Sequence, residues 1–357
     1  MNLQEIAQLR LHNQGIAHAH STSLLEVVQR MGCMQAQDYY NSLWAVGLRS
    51  KRTEKQIIES IENAEIIRTW PQRGTLHFVP PADAAWLVAL SADRLIRGAK
   101  RRRELLELDD TVFERSRTVL ETALANGPLS RPKVMEALES AGISTKSGRG
   151  YHILWYLSQT GLTYIGPMEG KQQTVCLVSS LPEQANYSRE AGVAELAQRY
   201  FTSHGPAQLS DFVWWAGLTV KDARIGLEAN AGILTEVVGD DGKRYWMPKE
   251  LKSATPTQSA YLLPGFDEYM LGYADRSAVI SPEGFAKVVP GSNGVFAPMI
   301  VIDGQIVGTW KRTIKKDHAL IEATPFKTLG KAALSSLQMP AQQYGEFLGL
   351  PVRLTNL

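Results

Sequence analysis

The chain has 357 residues, 44% of them hydrophobic and 21% charged, with a formal net charge of +2; this is the composition of a folded, soluble protein of two or three domains, and it excludes a disordered chain. No apolar run is long enough to span a bilayer and the N-terminal stretch lacks a signal-peptide core, so the expectation is a cytoplasmic protein with no membrane partner. The two cysteines, Cys33 and Cys176, are too far apart for a metal-ligand spacing and read as small buried hydrophobes. With so little net charge, a nucleic-acid partner would have to be held by a local basic patch.

The first segment, residues 1–110, opens with a pair, His18 and His20, that reads as solvated rather than metal-binding. Ser23 to Glu26 has the pattern of a capping box, and Gly32 suits the position just past the helix it opens. Met34-Gln35-Ala36-Gln37-Asp38 follows. Asp38 reads as the cap of a helix through Tyr39, Leu43, Val46 and Leu48, which leaves Gln35 and Gln37 in a short connector. If that connector is extended, the two amides share a side and Ala36 points inward; if it is helical, they point nearly opposite ways. From the spacing alone, an ordinary polar loop is the default reading. A third helix is expected from Thr53, then a hairpin of strands 65–70 and 74–79 with Pro71, Gln72 and Arg73 at its tip. Trp70 ends the leading strand, where it either packs or wedges against a ligand, and His77 is either packed or functional. One long helix after Pro81 then carries Arg94, Arg97, Lys100 and Arg101 three or four residues apart, hence on one face, with Arg102 and Arg103 adjoining. These cations, with Arg73, are the candidate phosphate contacts.

Residues 111–185 repeat the plan more clearly. A capping box at Thr111 to Glu114 opens a helix, Asn126-Gly127-Pro128 stops it, Ser130 opens a second, and a third ends at Gly161. Strands 162–165 and 174–178 then form a hairpin. Three helices and a hairpin make a winged helix. Residues 186–255 repeat it again, with a second Gly-Pro break at Gly205-Pro206 and a turn at Asp241-Gly242. From 256 to 357 short strands separated by Gly, Pro and Asp predict an antiparallel β domain with a turn at Asp303-Gly304, followed by a helix and a last strand. Lys311 and Arg312, near a strand end, are further candidate phosphate contacts. Asp267, Glu268, Asp275 and Arg276 read as a structural ion network or as the edge of a site. The fold class is therefore α+β: three tandem winged-helix motifs and a C-terminal β domain.

Winged helices commonly bind DNA, although many serve only for protein contacts. Nothing points to a cofactor: there is no phosphate-binding GxxxxGK[ST] loop, no GxGxxG after a strand, no HExxH and no GxSxG. Four stretches taken together, MQAQDYYNSLWAVG (34–47), RTWPQRGTLHFV (68–79), LPGFDEYMLGYADRS (263–277) and IDGQIVGTWKR (302–312), resemble the bacterial winged-helix DNA glycosylases of the AlkZ/YcaQ type. The resemblance runs over nearly the whole chain. It implies excision of alkylated purines from double-stranded DNA by a cofactor-independent monomer, with unhooking of interstrand crosslinks in some members, and a concave DNA-binding surface built from the tandem winged helices. The family divides by its site into Gln-x-Gln and Gln-x-Asp branches, and this sequence carries the first. On that resemblance Gln35 and Gln37 are the catalytic pair; Trp70 and His77, from their places in the first hairpin, are possible lesion contacts. The competing reading is a non-catalytic winged-helix regulator or scaffold, which would be expected to pair on palindromic half-sites.

Overall fold

The computed structural model describes residues 1–21, 23–250, 260–292 and 294–355. They fall into two compact units, one formed by Met1–Ile57 with Val193–Leu357 and the other by Ile58–Gly192. This division cuts across the segments 1–110, 111–185, 186–255 and 256–357 expected from the sequence, and the boundary expected at 255/256 lies outside the described residues. Strand pairing explains the difference. Arg68 of the strand Ile67–Gln72 pairs antiparallel with Ile165 of Thr163–Glu169, so the hairpins of the first two segments become one sheet. In the second unit its order is Thr75–Val79, Ile67–Gln72, Thr163–Glu169, Gln172–Leu177, Leu129–Ser130. The helices Leu24–Met31 and Tyr39–Ser50 of the first segment belong to the other unit.

Within the second unit the order helix (Asp110–Ala123), strand (Leu129–Ser130), helix (Arg131–Ser140), helix (Arg149–Gln159) and hairpin is that of a winged helix. Its first helix is capped by Asp109, whose carboxylate accepts the Val112 N–H at 2.8 Å, rather than by Thr111. An Asp at this position reaches the third helical N–H and adds a charge favoured by the helix dipole. The long helix expected after Pro81 is two helices, Ala84–Gly98 and Lys100–Leu105, separated at Ala99 with ψ near 2°. Gly98 marks the break, as the weakest helix former in the run. Arg94 and Arg97 therefore sit on one helix and Lys100 and Arg101 on the next. The first hairpin turns at Arg73-Gly74, with φ of 51° and 71°, instead of at Pro71 to Arg73. Two successive positive φ values are what a two-residue turn needs to match strand twist.

In the first unit, helices Leu209–Ala216 and Val220–Ala229 lead into the hairpin Leu234–Val238 and Arg244–Pro248, and a single bridge pairs Ala207 with Trp246. The C-terminal sheet has the order Val352–Thr355, Ala319–Pro325, Gln305–Ile314, Met299–Ile302, Ala260–Leu263. It is antiparallel except that 352–355 runs parallel to its neighbour. Asp303 and Gly304 make the expected turn, with φ of 50° and 84°. Among the described residues no helix is long and apolar enough to cross a membrane.

The helix Tyr39–Ser50 is clamped between this sheet and the helix Gln338–Leu348. Trp44 donates its indole N–H to the Leu262 carbonyl at 2.7 Å, and its ring meets Tyr344 and Phe347 at centroid distances of 5.1 and 4.9 Å. Gly47 permits the approach, since a methyl group there would lie 2.6 and 2.7 Å from two ring carbons of Phe347. Gly47→Ala is therefore expected to destabilise the protein by about 1–3 kcal/mol despite its better helix propensity. Urea unfolding would measure this, and adding Phe347→Leu should recover part of the loss; a Gly47→Ala protein as stable as wild type would contradict the clamp.

Candidate active site

Ser23 caps Leu24–Met31 by accepting the Glu26 N–H at 3.3 Å, but the Glu26 carboxylate takes the Ser21 hydroxyl, so the box closes through Ser21. Gly32 ends the helix at φ 79°, where a Cβ would meet Leu196 and Trp215 at 3.3 Å each. The chain then runs extended through Met34–Gln35. Ala36 is wholly buried, Gln35 is half-buried and Gln37 is exposed. The connector is therefore not helical: it is extended at Met34–Gln35, and Gln37 lies in the bend that leads into the next helix. Asp38 closes the connector as a helix cap, one carboxylate oxygen accepting the Asn41 N–H at 3.1 Å and the other the Asn41 side-chain amide at 2.9 Å. Both its oxygens are engaged in this capping.

Behind the connector lies a buried polar framework. The Gln35 backbone N–H donates to Oε1 of Glu268 at 2.9 Å, and the Trp215 indole N–H donates to Oε2 of the same carboxylate at 2.9 Å. His204 Nε2 lies 3.6 Å from that second oxygen. The neighbouring Asp267 receives both terminal nitrogens of Arg49, at 2.8 and 2.9 Å, and one of these also reaches the Gln14 amide oxygen at 2.8 Å. Arg10 stacks over the Tyr273 ring at 3.6 Å, donates to the Pro206 carbonyl at 2.9 Å and lies 3.9 Å from Asp211. Every charged side chain in these pairs is buried. Phe266, directly before Asp267, holds φ of 61°, a strained conformation for a bulky residue that turns the following carboxylates inward at a cost of about 1–3 kcal/mol.

Burial dominates the electrostatics. It pushes His204 below the ordinary imidazole range even though Glu268 pulls the other way. It pushes Asp211 up despite Arg10 and the N–H groups of Gln208 and Asp275, and it holds the Tyr200, Tyr269 and Tyr273 hydroxyls well above the phenol range. These phenols act as donors, Tyr273 to the His204 carbonyl at 2.7 Å and Tyr200 to that of Gly272 at 2.8 Å. Asp275 is the exception: burial raises it, but hydrogen bonds from Lys243 and Ser277 prevail and hold it low. Of the four residues read as network or site edge, Asp267 and Glu268 are interior, Asp275 pairs with Lys243 at 2.6 Å, and Arg276 lies over the ring of Trp214 at 5.0 Å.

The other candidate residues are spread over both units. Arg94, Arg97, Lys100, Arg101 and Arg102 are exposed on the two basic helices of the second unit, with Lys100 3.9 Å from Glu104 and Arg102 donating to His152 at 3.3 Å. Arg73 is half-buried at the turn of the first hairpin. Lys311 and Arg312 belong to the first unit, where Lys311 is exposed and Arg312 lies 5.8 Å from the Tyr344 ring centre. Trp70 is a core residue, 3% exposed among Phe113, Leu120, Leu154 and Ile165, and this packing corrects the expectation of a lesion contact: no ring face is left to stack on a base. His77 is also fully buried, with Nδ1 2.9 Å from the Thr75 carbonyl and Nε2 3.4 Å from Gln72. Both cysteines are free and buried. Among the described residues no set of three or more His, Cys, Asp and Glu side chains is arranged to hold a metal ion.

The family model of the AlkZ-like DNA glycosylases matches residues 28–347. The chain belongs to this family. It is 25% identical to an interstrand DNA cross-link repair glycosylase of Streptomyces sahachiroi, over 98% of each chain. Its fold matches the solved structure of the Streptomyces sahachiroi DNA glycosylase AlkZ with a TM-score of 0.80, at 22% identity, over 99% of this chain and 100% of that one. The protein is thus an AlkZ-like DNA N-glycosylase, which favours the hydrolase over the non-catalytic regulator. The reading from sequence did not find Gln14 or Arg49, and it left Glu268 between an ion network and a site edge. One signal was present: Arg49 recurs at helical spacing behind Ser42 and Ala45 on a buried face, and a cation there needs an interior partner.

His204 gives the framework a pH signature. Its folded-state pKa lies below the unfolded value of about 6.5, so its contribution to stability is complete above that pH and is lost as pH falls below it. The melting temperature is expected to drop below about pH 6.5, and to drop less steeply in a His204→Asn variant; equal slopes in thermal melts across pH 7 to 5 would contradict the buried, neutral imidazole.

Proposed function

We propose that the protein hydrolyses the N-glycosidic bond of cationic N3- and N7-alkylated purines in double-stranded DNA, leaving an abasic site, with Gln35 and Gln37 as the catalytic pair. The observation that carries this reading is the non-helical connector, extended at Met34–Gln35, with both glutamines flanking a buried Ala36 while Asp38 and Glu268 are committed to protein donors. A side-chain amide offers one acceptor and one NH2 group, enough to orient a water toward C1′ and to set partial negative charge beside the sugar as it becomes cationic. It cannot take a proton as a carboxylate does, and general-base help is typically worth about 10²- to 10⁴-fold. The substrate must then supply the missing activation. A purine alkylated at N3 or N7 is already cationic and leaves as a neutral base, whereas uracil and intact purines do not. Interstrand crosslinks and bulky adducts at purine nitrogens share this lability, so they fall within the proposed range, as the name of the Streptomyces relative indicates for that protein. The exposed cations of the basic helices, with Arg73, Lys311 and Arg312, would hold phosphates without reading sequence. The protein would act as a monomer and without a cofactor.

Gln35→Ala and Gln37→Ala are each expected to lose most single-turnover excision of N7-methylguanine while keeping their folding and DNA affinity, and wild type is expected to leave uracil uncut. Excision at the wild-type rate by both variants would refute the assignment. Neutralising Arg97 and Arg101 together should weaken binding to any duplex and flatten its salt dependence by about two contacts in a salt-titrated binding series; unchanged affinity would return that face to solvent.

A further inference from the structure

We propose that Glu268 is the positioning residue of the glutamine pair, a buried carboxylate that fixes the Gln35 backbone and so places its side chain. The inference rests on the reading of Gln35 and Gln37 as the reacting pair, and it deepens that reading. Glu268 is 1% exposed, so it touches neither water nor substrate. Its Oε1 accepts the Gln35 N–H at 2.9 Å and its Oε2 accepts the Trp215 indole N–H at 2.9 Å. These two partners are obligate donors. A carboxylate can accept from the two at once, whereas a glutamine at 268 would present one oxygen and one NH2, and one donor would then face another.

The carboxylate is itself held firmly. Its carbonyl accepts the Gly272 N–H at 2.8 Å, and the adjoining Asp267 is gripped by both terminal nitrogens of Arg49. The strained Phe266 and the cap that Asp267 forms on Glu268–Leu271 leave the side chain little freedom. The Gln35 amide is thus registered, through one hydrogen bond, to a rigid interior and not to a surface loop. Glu268 therefore acts on the chemical step through Gln35, and not on DNA affinity.

A double-mutant cycle on the full-length protein tests this, with single-turnover excision of N7-methylguanine and equilibrium duplex binding as the two readouts. Glu268→Gln is expected to lower the excision rate by roughly 10- to 100-fold, the scale of a misplaced catalytic group, with DNA affinity within about twofold of wild type. In a Gln35→Ala background the same substitution should change the residual rate by less than about twofold, because its effect passes through Gln35. A wild-type rate for Glu268→Gln, an equal fractional loss in both backgrounds, or a loss of affinity in step with rate would each overturn the proposal. If Glu268→Gln does not fold, Glu268→Asp is the second variant, charged but one methylene short: a slow rate with retained affinity supports the proposal and a wild-type rate overturns it. Full excision by Gln35→Ala alone would instead remove the catalytic assignment, and this inference with it.

Discussion

The first unit is organised around two adjacent buried carboxylates and the donors that neutralise them. Asp267 takes the two-pronged grip of Arg49, and Glu268 takes the Gln35 backbone and the Trp215 indole. Removing these charges from water carries a penalty of several kcal/mol per ion, which only near-complete hydrogen bonding can offset. Such pairs do little for net stability compared with apolar packing, but they are intolerant of misplacement. Arg49 comes from the helix after the connector, Glu268 from the start of the C-terminal portion and Trp215 from the helix Leu209–Ala216. The framework closes only when these parts of the chain meet, so the connector's geometry is a consequence of the completed fold.

The catalytic economy follows from that arrangement. The interior holds several ionisable groups, and the acidic and phenolic ones are committed: Asp38 to its cap, Glu268 to two donors, Asp211 to backbone N–H groups and Arg10, and the three tyrosine hydroxyls to acceptors or neighbouring donors. The connector presents amides where many hydrolases present a carboxylate. On the proposed reading, such a site would stabilise charge and orient water without moving a proton at the leaving group, which would restrict it to bonds that damage has already weakened. The same restriction would protect intact DNA without a tight recognition pocket.

Local features were readable from the sequence because they depend on neighbours a few residues away. Ser23 and Asp38 cap as their spacing implied, Gly32 takes its left-handed position, and Asp303-Gly304 turns the strands. That the connector is not helical was one of two options, and tertiary contacts such as the Gln35 N–H to Glu268 favour it. What was not readable depends on distant partners. Arg68 pairing with Ile165 joins two hairpins into one sheet, and Arg49 meets Asp267 from 218 positions away. A periodic pattern also hid the break at Gly98, since cations three or four apart suggest one face whether or not the helix is continuous. Trp70 shows the opposite limit: an aromatic beside a hairpin tip is compatible with a wedge or a core, and only its packing in the second unit decides for the core.

The most direct test of the account is product analysis of a single-turnover reaction between the wild-type protein and a duplex carrying one N7-methylguanine. Mass spectrometry would follow the released base and the strand that remains. The account predicts free N7-methylguanine in step with an intact strand bearing one abasic site, with oxygen from solvent water at C1′. An unchanged duplex, or a covalent protein–DNA adduct in place of the hydrolysed sugar, would contradict water-directed hydrolysis by an amide pair.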